Sequence, residues 1–233
     1  MTINFNIKKI NLKDCTLLTG FHGIGETGYI SISYLVNALN AKRIGFIEVD
    51  HPPPFINTAE KGIVTPFEIY KNKNLILVKL EFSPHSSEEV EFTKGLANWA
   101  IKEKFKDAIL IGGLDSNFQQ GKEAFKIVPT TSYLKKAKKF DTSILEPDLL
   151  VYGPLAILLG EFEIRNFPAV AVLPYASSLV ADPRASAIAI RNICKVLNVE
   201  VSVDDLEKDA ENIEAEIAQK LKRTQKSRQN MYV

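Results

Sequence analysis

The chain has 233 residues, of which 45% are apolar and 24% charged, a composition typical of a globular protein with a sizeable core. Its 29 basic and 28 acidic residues nearly balance, which argues against nucleic acid or an anionic membrane as a partner, because both attract concentrated positive charge. The two cysteines, Cys15 and Cys194, are too few for a disulfide framework and favour a reduced, cytoplasmic setting.

The first part of the chain alternates strand-like and helix-like segments. Apolar runs and helical spacing predict a strand at 15–21, a helix at 27–41, a strand at 43–49 and a hairpin of 67–70 with 75–82. Residues 51–66 begin with His51 and three prolines, and we expect an extended surface loop there, since each proline restricts the residue before it.

The alternation continues through the second part. Ser86 and Glu89 have the spacing of a capping box, which predicts a helix beginning at Ser86. Pro154 and Asp182-Pro183 are predicted helix starts. Further strands are predicted at 107–113, 125–133 and 167–174. This order predicts an α/β fold, with a mainly parallel sheet flanked by helices, in one domain of residues 1–201. No apolar run approaches the length of a membrane span.

The end of the chain has a different pattern. Residues 202–223 predict a C-terminal helix, which either docks on its own domain or pairs with another subunit. Its apolar residues recur three or four apart: Leu206, Ala210, Ile213, Ile217 and Leu221. Residues 224–233 are a predicted flexible tail. The tail ends in Met231-Tyr232-Val233, an apolar tip with a free carboxylate that is typical of a segment captured by a partner's pocket.

A glycine motif invites an enzymatic interpretation. Gly23, Gly25 and Gly28 fit G-x-G-x-x-G between a predicted strand and a predicted helix, with Glu48 twenty residues further on, as in dinucleotide-binding turns. However, the charge of Glu26 lies where it would repel a pyrophosphate, and no hydride-transfer residues follow. We favour a tight structural turn that needs glycine, and keep a nucleotide- or nucleoside-binding enzyme as the alternative.

Other polar residues follow predicted strands, where ligand sites form in open α/β sheets. The three histidines have no ligand-pair spacing, so no metal site is expected. No cofactor is expected either. The residues that could gather at this rim are His22, His51, His85, Asp115, Ser116, Tyr175, Ser177 and Ser178.

Several segments together resemble the proteasome assembly chaperone family. They are Gly20-Phe21-His22-Gly23-Ile24-Gly25, Leu173-Pro174-Tyr175, Asp182-Pro183-Arg184-Ala185 and the stretch 197–201 before the terminal helix. The resemblance covers nearly the whole body. It implies a three-layer fold like that of purine nucleoside phosphorylases, and a binding protein without catalysis.

The last three residues match the hydrophobic-Tyr-any motif with which proteasome activators and some assembly chaperones dock between α subunits of the core particle. The resemblance therefore implies that Met231, Tyr232 and Val233 bind the α ring and favour gate opening without ATP. Because one tail binds weakly, we expect a homo-oligomer, with a tetramer as the leading expectation. An adaptor that delivers substrates to the proteasome is a further possibility.

Overall fold

A nine-stranded sheet covered by helices on both faces forms the body of the protein. The computed structural model describes residues 3–59, 62–135, 140–213 and 215. Its strands are β1 (Asn4–Ile7), β2 (Thr16–Gly20), β3 (Lys42–Glu48), β4 (Asn57–Ala59), β5 (Gly62–Val64), β6 (Phe67–Asn72), β7 (Leu75–Leu80), β8 (Asp107–Ile111), β9 (Leu114–Asp115), β10 (Phe125–Pro129) and β11 (Ala169–Ala176). Its helices are α1 (Thr27–Ala38), α2 (Glu89–Lys102), α3 (Thr131–Leu134), α4 (Pro154–Ile164), α5 (Pro183–Leu197) and a helical segment at 204–213.

The sheet is parallel at its centre and antiparallel at its sides. The strand order is β1-β3-β6-β7-β2-β8-β11-β10, and β9 pairs with the end of β11. The central strands β7, β2, β8 and β11 run parallel. Strands β1, β3 and β6 extend one side by antiparallel pairing, and β10 closes the other. The predicted α/β class is therefore confirmed, with the parallel strands in the middle of a mixed sheet.

Side chains of the central strands alternate between two cores. Leu17 packs in the core under α2 and α4, whereas its neighbour Leu18 packs in the core under α1 and α5. In β8, Leu110 packs in the core under α2 and α4, and Ile109 packs in the core under α1 and α5. This follows from the two-residue period of a strand and explains why the buried strands are continuous apolar runs. The result is three layers, with helices on each side of the sheet.

Three local predictions were wrong. Helix α2 begins at Glu89 with Glu88 as its N-cap residue, so Ser86 does not cap it. The segment 51–66 is not a plain loop, since β4 and β5 pair within it as a small hairpin. The predicted strand 125–133 ends at Pro129 and is followed by α3, whose N-cap Thr130 accepts a hydrogen bond from the Tyr133 amide. The other predicted helix starts are confirmed, with Pro154 in the first turn of α4 and Asp182 capping α5.

The helical segment at 204–213 packs on the body of its own chain. Leu206 is buried in the core beside α5, and Ala210 is buried too. The Tyr34 hydroxyl donates a 2.9 Å hydrogen bond to the carbonyl of Ser202 just before this segment. The start of the terminal helix is therefore docked on its own domain. The boundary between residues 201 and 202 remains a prediction.

Both cysteines are buried free thiols. Burial raises the pKa of the Cys194 thiol to about 11, which keeps it protonated at neutral pH. Over the described ranges, we find no helix with the length and apolar character needed to cross a membrane.

Candidate functional site

The glycine turn joins β2 to α1 through a short 3-10 segment. Gly25 has a φ of 63°, in the left-handed region that favours glycine. Its carbonyl accepts a 2.8 Å hydrogen bond from the Asp182 amide, which ties the turn to the start of α5. A Cβ at Gly25 would lie 2.8 Å from the side chain of Ala176, so this position is closely packed.

Gly28 is required by packing between helix and sheet. A Cβ at this position would lie 2.6 Å from the carbonyl oxygen of Ile111 and 2.7 Å from that of Phe21. The first turn of α1 therefore rests directly on the ends of β2 and β8. A Cβ at Gly23 would meet nothing within 4 Å. Packing thus accounts for Gly25 and Gly28 without a ligand, which supports the structural interpretation of the motif.

A histidine and a glutamate occupy the turn itself. His22 Nδ1 lies 2.5 Å from Glu26 Oε2, and its Nε2 lies 3.1 Å from the Leu80 carbonyl oxygen. These two contacts hold the His22 ring between the glycine turn and the end of β7. The Tyr29 ring stacks on this imidazole, with 4.5 Å between ring centroids.

A cleft of about 540 Å³ opens beside this turn, at the carboxyl ends of β2 and β8. One wall consists of residues 21–24 and 111–115, and the other of residues 148–155. Most of the lining is apolar or backbone. Three large apolar side chains lie exposed on its rim: Phe118 (52% exposed), Tyr152 (73%) and Leu150 (76%). The charged residues of the lining are Asp115 and Asp148, and the described lining contains no lysine or arginine.

The structure gathers only part of the polar set that the sequence suggested. His22 and Asp115 line the cleft, together with Gly23 of the glycine motif. Asp115 Oδ1 accepts a 2.9 Å hydrogen bond from the Asn117 amide and so caps a short turn. Ser116, Tyr175, Ser177 and Ser178 are not lining residues. Tyr175 is buried, and burial raises the pKa of its hydroxyl.

Sequence reasoning missed the second wall of the cleft. The segment 148–155 has no helical or strand period until Pro154, so it gave no pattern to interpret. One usable signal was present, because Leu149-Leu150-Val151-Tyr152 is an apolar run outside any regular element. Such a run is either buried or left exposed for a partner.

His51 and His85 lie together, but outside the cleft. Their ring centroids are 5.9 Å apart. The carboxylate of the buried Glu88 accepts hydrogen bonds through Oε1 from His51 N (3.0 Å) and from His51 Nδ1 (2.8 Å). This arrangement ties the loop after β3 to the start of α2. Within the described ranges, no group of three or more histidine, cysteine, aspartate or glutamate side chains could hold a metal ion.

The predicted docking motif Met231, Tyr232 and Val233 lies outside the described residues, as does the rest of the predicted tail. The structure describes the root of that segment, where Leu206 anchors the helix at 204–213.

Comparison with protein families identifies the chain. The profile of the PAC2 family matches residues 17–221. This chain belongs to the PAC2 family. As a PAC2 protein it is similar along most of its length to an uncharacterised protein of Methanocaldococcus jannaschii, with 26% identity over 97% of this chain and 95% of that one. A second uncharacterised protein of the same organism is 24% identical over 87% of this chain and 81% of the other.

The PAC2 fold of this chain is also found in solved structures. PbaA of Pyrococcus furiosus, described as an archaeal homolog of proteasome-assembly chaperone, superposes with a TM-score of 0.81 at 22% identity, covering 98% of this chain and 95% of PbaA. PbaB of the same organism, described as an archaeal proteasome activator, gives a TM-score of 0.77 at 18% identity, covering 95% of this chain and 98% of PbaB. At these identities the likeness shows the fold.

Proposed function

We propose that this PAC2-family protein is an ATP-independent proteasome activator or assembly chaperone that docks Met231-Tyr232-Val233 into pockets between α subunits of the core particle. The proposal rests on one combination: the chain ends in Met231-Tyr232-Val233, and its body has the fold of PbaA and PbaB. The protein would act without catalysis, and it would work in the cytoplasm beside the proteasome.

Each residue of the tip has a physical role in the proposed docking. The α-carboxylate of Val233 pairs with a lysine in the pocket, as in other recognition of chain ends. The ring of Tyr232 is buried against the pocket wall while its hydroxyl makes a hydrogen bond. The flexible side chain of Met231 fills an irregular apolar gap.

The residues before the tip provide reach. Ten residues, 224–233, span at most about 35 Å when extended and about 17 Å on average as a coil. A single tail is a weak ligand because ordering it costs free energy. Several tails on one homo-oligomer, with a tetramer expected, bind more tightly through their effective concentration. Gate opening follows if the tails bind the open α ring better than the closed one.

Binding to a matched core proteasome tests the docking step. With the full chain immobilised, Tyr232→Ala should weaken binding by about tenfold or more, because it removes a buried aromatic anchor. Gln229→Ala is the matched control, since it changes the tail but not its tip, and its affinity should match that of the unmodified protein. Equal affinity of Tyr232→Ala and the unmodified protein would rule out docking by the tip.

The second candidate is a nucleotide- or nucleoside-binding enzyme, favoured by the cleft of about 540 Å³ beside the glycine turn. Against it, Asp115 and Asp148 would repel phosphate groups, and packing accounts for Gly25 and Gly28. Thermal unfolding with NAD, NADP, ATP and nucleosides at millimolar concentration separates the two candidates. A bound ligand raises the melting temperature, and we expect no rise.

A further inference from the structure

We propose that the strand-end cleft binds an extended peptide segment of another protein, one that presents a large apolar side chain next to a lysine or arginine. The cleft is built from residues 21–24, 111–115, 118 and 148–155, so this proposal does not depend on the C-terminal tip. It adds a second binding site that can hold a protein while the tail holds the proteasome.

The interior of the cleft has the size and lining of a binding site. Its volume of about 540 Å³ is within the range of pockets that enclose ligands, and is large enough for an aromatic or leucine side chain with part of its backbone. Phe21, Ile24 and Leu155 contribute to its apolar surface. An apolar side chain that enters this space is removed from water, which is the main favourable contribution to such binding.

The rim indicates a peptide rather than a small molecule. Leu150 and Tyr152 lie on one side of the opening with about three quarters of their surface exposed, and Phe118 lies on the rim with half of its surface exposed. These side chains extend the apolar surface outward from the cavity. Contiguous exposed apolar surface marks sites where a partner binds, and an extended chain would cover the rim as well as fill the interior.

The charges select the composition of the peptide. Asp148 is exposed at the mouth and Asp115 is half-buried in the lining. Since the described lining contains no lysine or arginine, these two carboxylates would repel an acidic peptide. A lysine or arginine beside the apolar side chain would instead pair with one of them.

Close backbone contacts hold the base of the cleft in shape. A Cβ at Gly113 would lie 2.3 Å from the carbonyl oxygen of Ile24, so the two strand-end loops meet there. A Cβ at Gly112 would lie 2.8 Å from the Leu155 side chain of the opposite wall. A cleft that is already formed costs little to order on binding, which favours recognition of a short segment.

Fluorescence anisotropy with the full chain tests the proposal. The probe is a labelled peptide containing Lys-Leu-Phe-Lys, compared with the same peptide containing Glu-Leu-Phe-Glu. We expect saturable binding of the basic peptide and at least about tenfold weaker binding of the acidic one. Absence of saturable binding of the basic peptide at millimolar concentration would overturn the proposal, as would equal affinity for both peptides.

Variants at exposed positions locate the binding without threatening the fold. Leu150→Asp should weaken binding of the basic peptide by about tenfold. Asp148→Lys should reduce the preference for the basic peptide, because it leaves Asp115 as the one carboxylate of the described lining and adds a positive charge beside it. Ile164→Asp is the matched control, because Ile164 is 75% exposed at the end of α4 and does not line the cleft. Equal weakening by Ile164→Asp and Leu150→Asp would place the binding elsewhere.

The protein's own C-terminal segment is the competing occupant, since it combines basic residues with an apolar tip. An unlabelled peptide of residues 220–233 should displace the probe less well than unlabelled Lys-Leu-Phe-Lys peptide does. If the 220–233 peptide displaced the probe at a lower concentration than the Lys-Leu-Phe-Lys peptide, the proposal would be contradicted, and the protein's own tail would be the occupant of the cleft.

Discussion

Gly28 illustrates at the scale of one residue how a motif can arise from packing. A Cβ there would lie 2.6 Å from the Ile111 carbonyl oxygen, a separation that real side chains do not reach. Gly160 is a useful contrast, because it is exposed in the interior of α4 and its Cβ would meet nothing within 4 Å. The two glycines should therefore respond oppositely to the same substitution.

We predict that Gly28→Ala lowers the free energy of unfolding by about 1–3 kcal/mol or more, because the added methyl forces α1 away from β2 and β8. Gly160→Ala should instead raise it by about 0.5–1 kcal/mol, since alanine favours an exposed helix interior. Urea unfolding of both variants measures the difference. If Gly28→Ala left the free energy of unfolding unchanged, the turn would not be tightly packed, and a ligand would again be the better explanation of the motif.

Lys126 is buried at the centre of a charge cluster whose two carboxylates are partly exposed. Its Nζ donates hydrogen bonds to Glu123 Oε2 (2.6 Å), Ser143 Oγ (2.7 Å) and Glu146 Oε1 (2.6 Å), which fastens the loop at 140–146 to β10. The hydrogen bond from Lys126, with others from Ser143, lowers the pKa of Glu123 from its ordinary value of 4.5 to about 2. The pKa of Glu146 is also lowered, chiefly by its hydrogen bond from Lys126.

These shifts predict a pH dependence. A carboxylate with a lowered pKa in the folded state stabilises the fold above its unfolded pKa of about 4.5, and that stabilisation is lost as the pH falls toward about 2. Lys126→Met should reduce stability at pH 7, and the difference from the unmodified protein should narrow between pH 4.5 and 2. Urea unfolding over this range provides the measurement. A difference that stays constant with pH would show that the cluster does not contribute through these carboxylates.

At the scale of elements, the sequence predicted what depends on local patterns. The central strands are continuous apolar runs. Pro154 at the first position of α4 and Asp182 as the N-cap residue of α5 indicate where these helices begin. The predicted start of α2 was wrong because its N-cap residue, Glu88, is held by a hydrogen bond with His51, which is distant in sequence. The cleft was only half predicted, because its second wall at 148–155 has no periodic pattern and is positioned by tertiary packing.

The helix at 204–213 makes a testable anchor for the tail. We predict that Leu206→Ala lowers the free energy of unfolding by about 2–4 kcal/mol, because Leu206 is buried in the core and its loss leaves a cavity. Glu211→Ala, on the exposed side of the same segment, should change it by less than about 0.5 kcal/mol. Denaturant unfolding compares the two. A Leu206→Ala change as small as the control would mean that this segment is not docked on the domain.

At the scale of the whole molecule, the protein combines a PAC2 body with a proposed docking tip. The body carries an apolar, acidic cleft at its strand ends, and its described residues contain no cluster suited to holding a metal. The tip would bind the proteasome, and the cleft would bind a peptide. Because the tip and the cleft are built from different parts of the chain, each proposal can be tested, and can fail, without the other.

Peptide hydrolysis by a matched core proteasome tests the central proposal, that the tip opens the gate. The protein and a variant ending at Asn230 are added at equal, saturating concentration without ATP, with Gln229→Ala as the control. We predict that the unmodified protein and Gln229→Ala both stimulate hydrolysis of a small fluorogenic peptide, and that the shortened chain does not. Stimulation that survives removal of residues 231–233 would rule out gate opening by the tip.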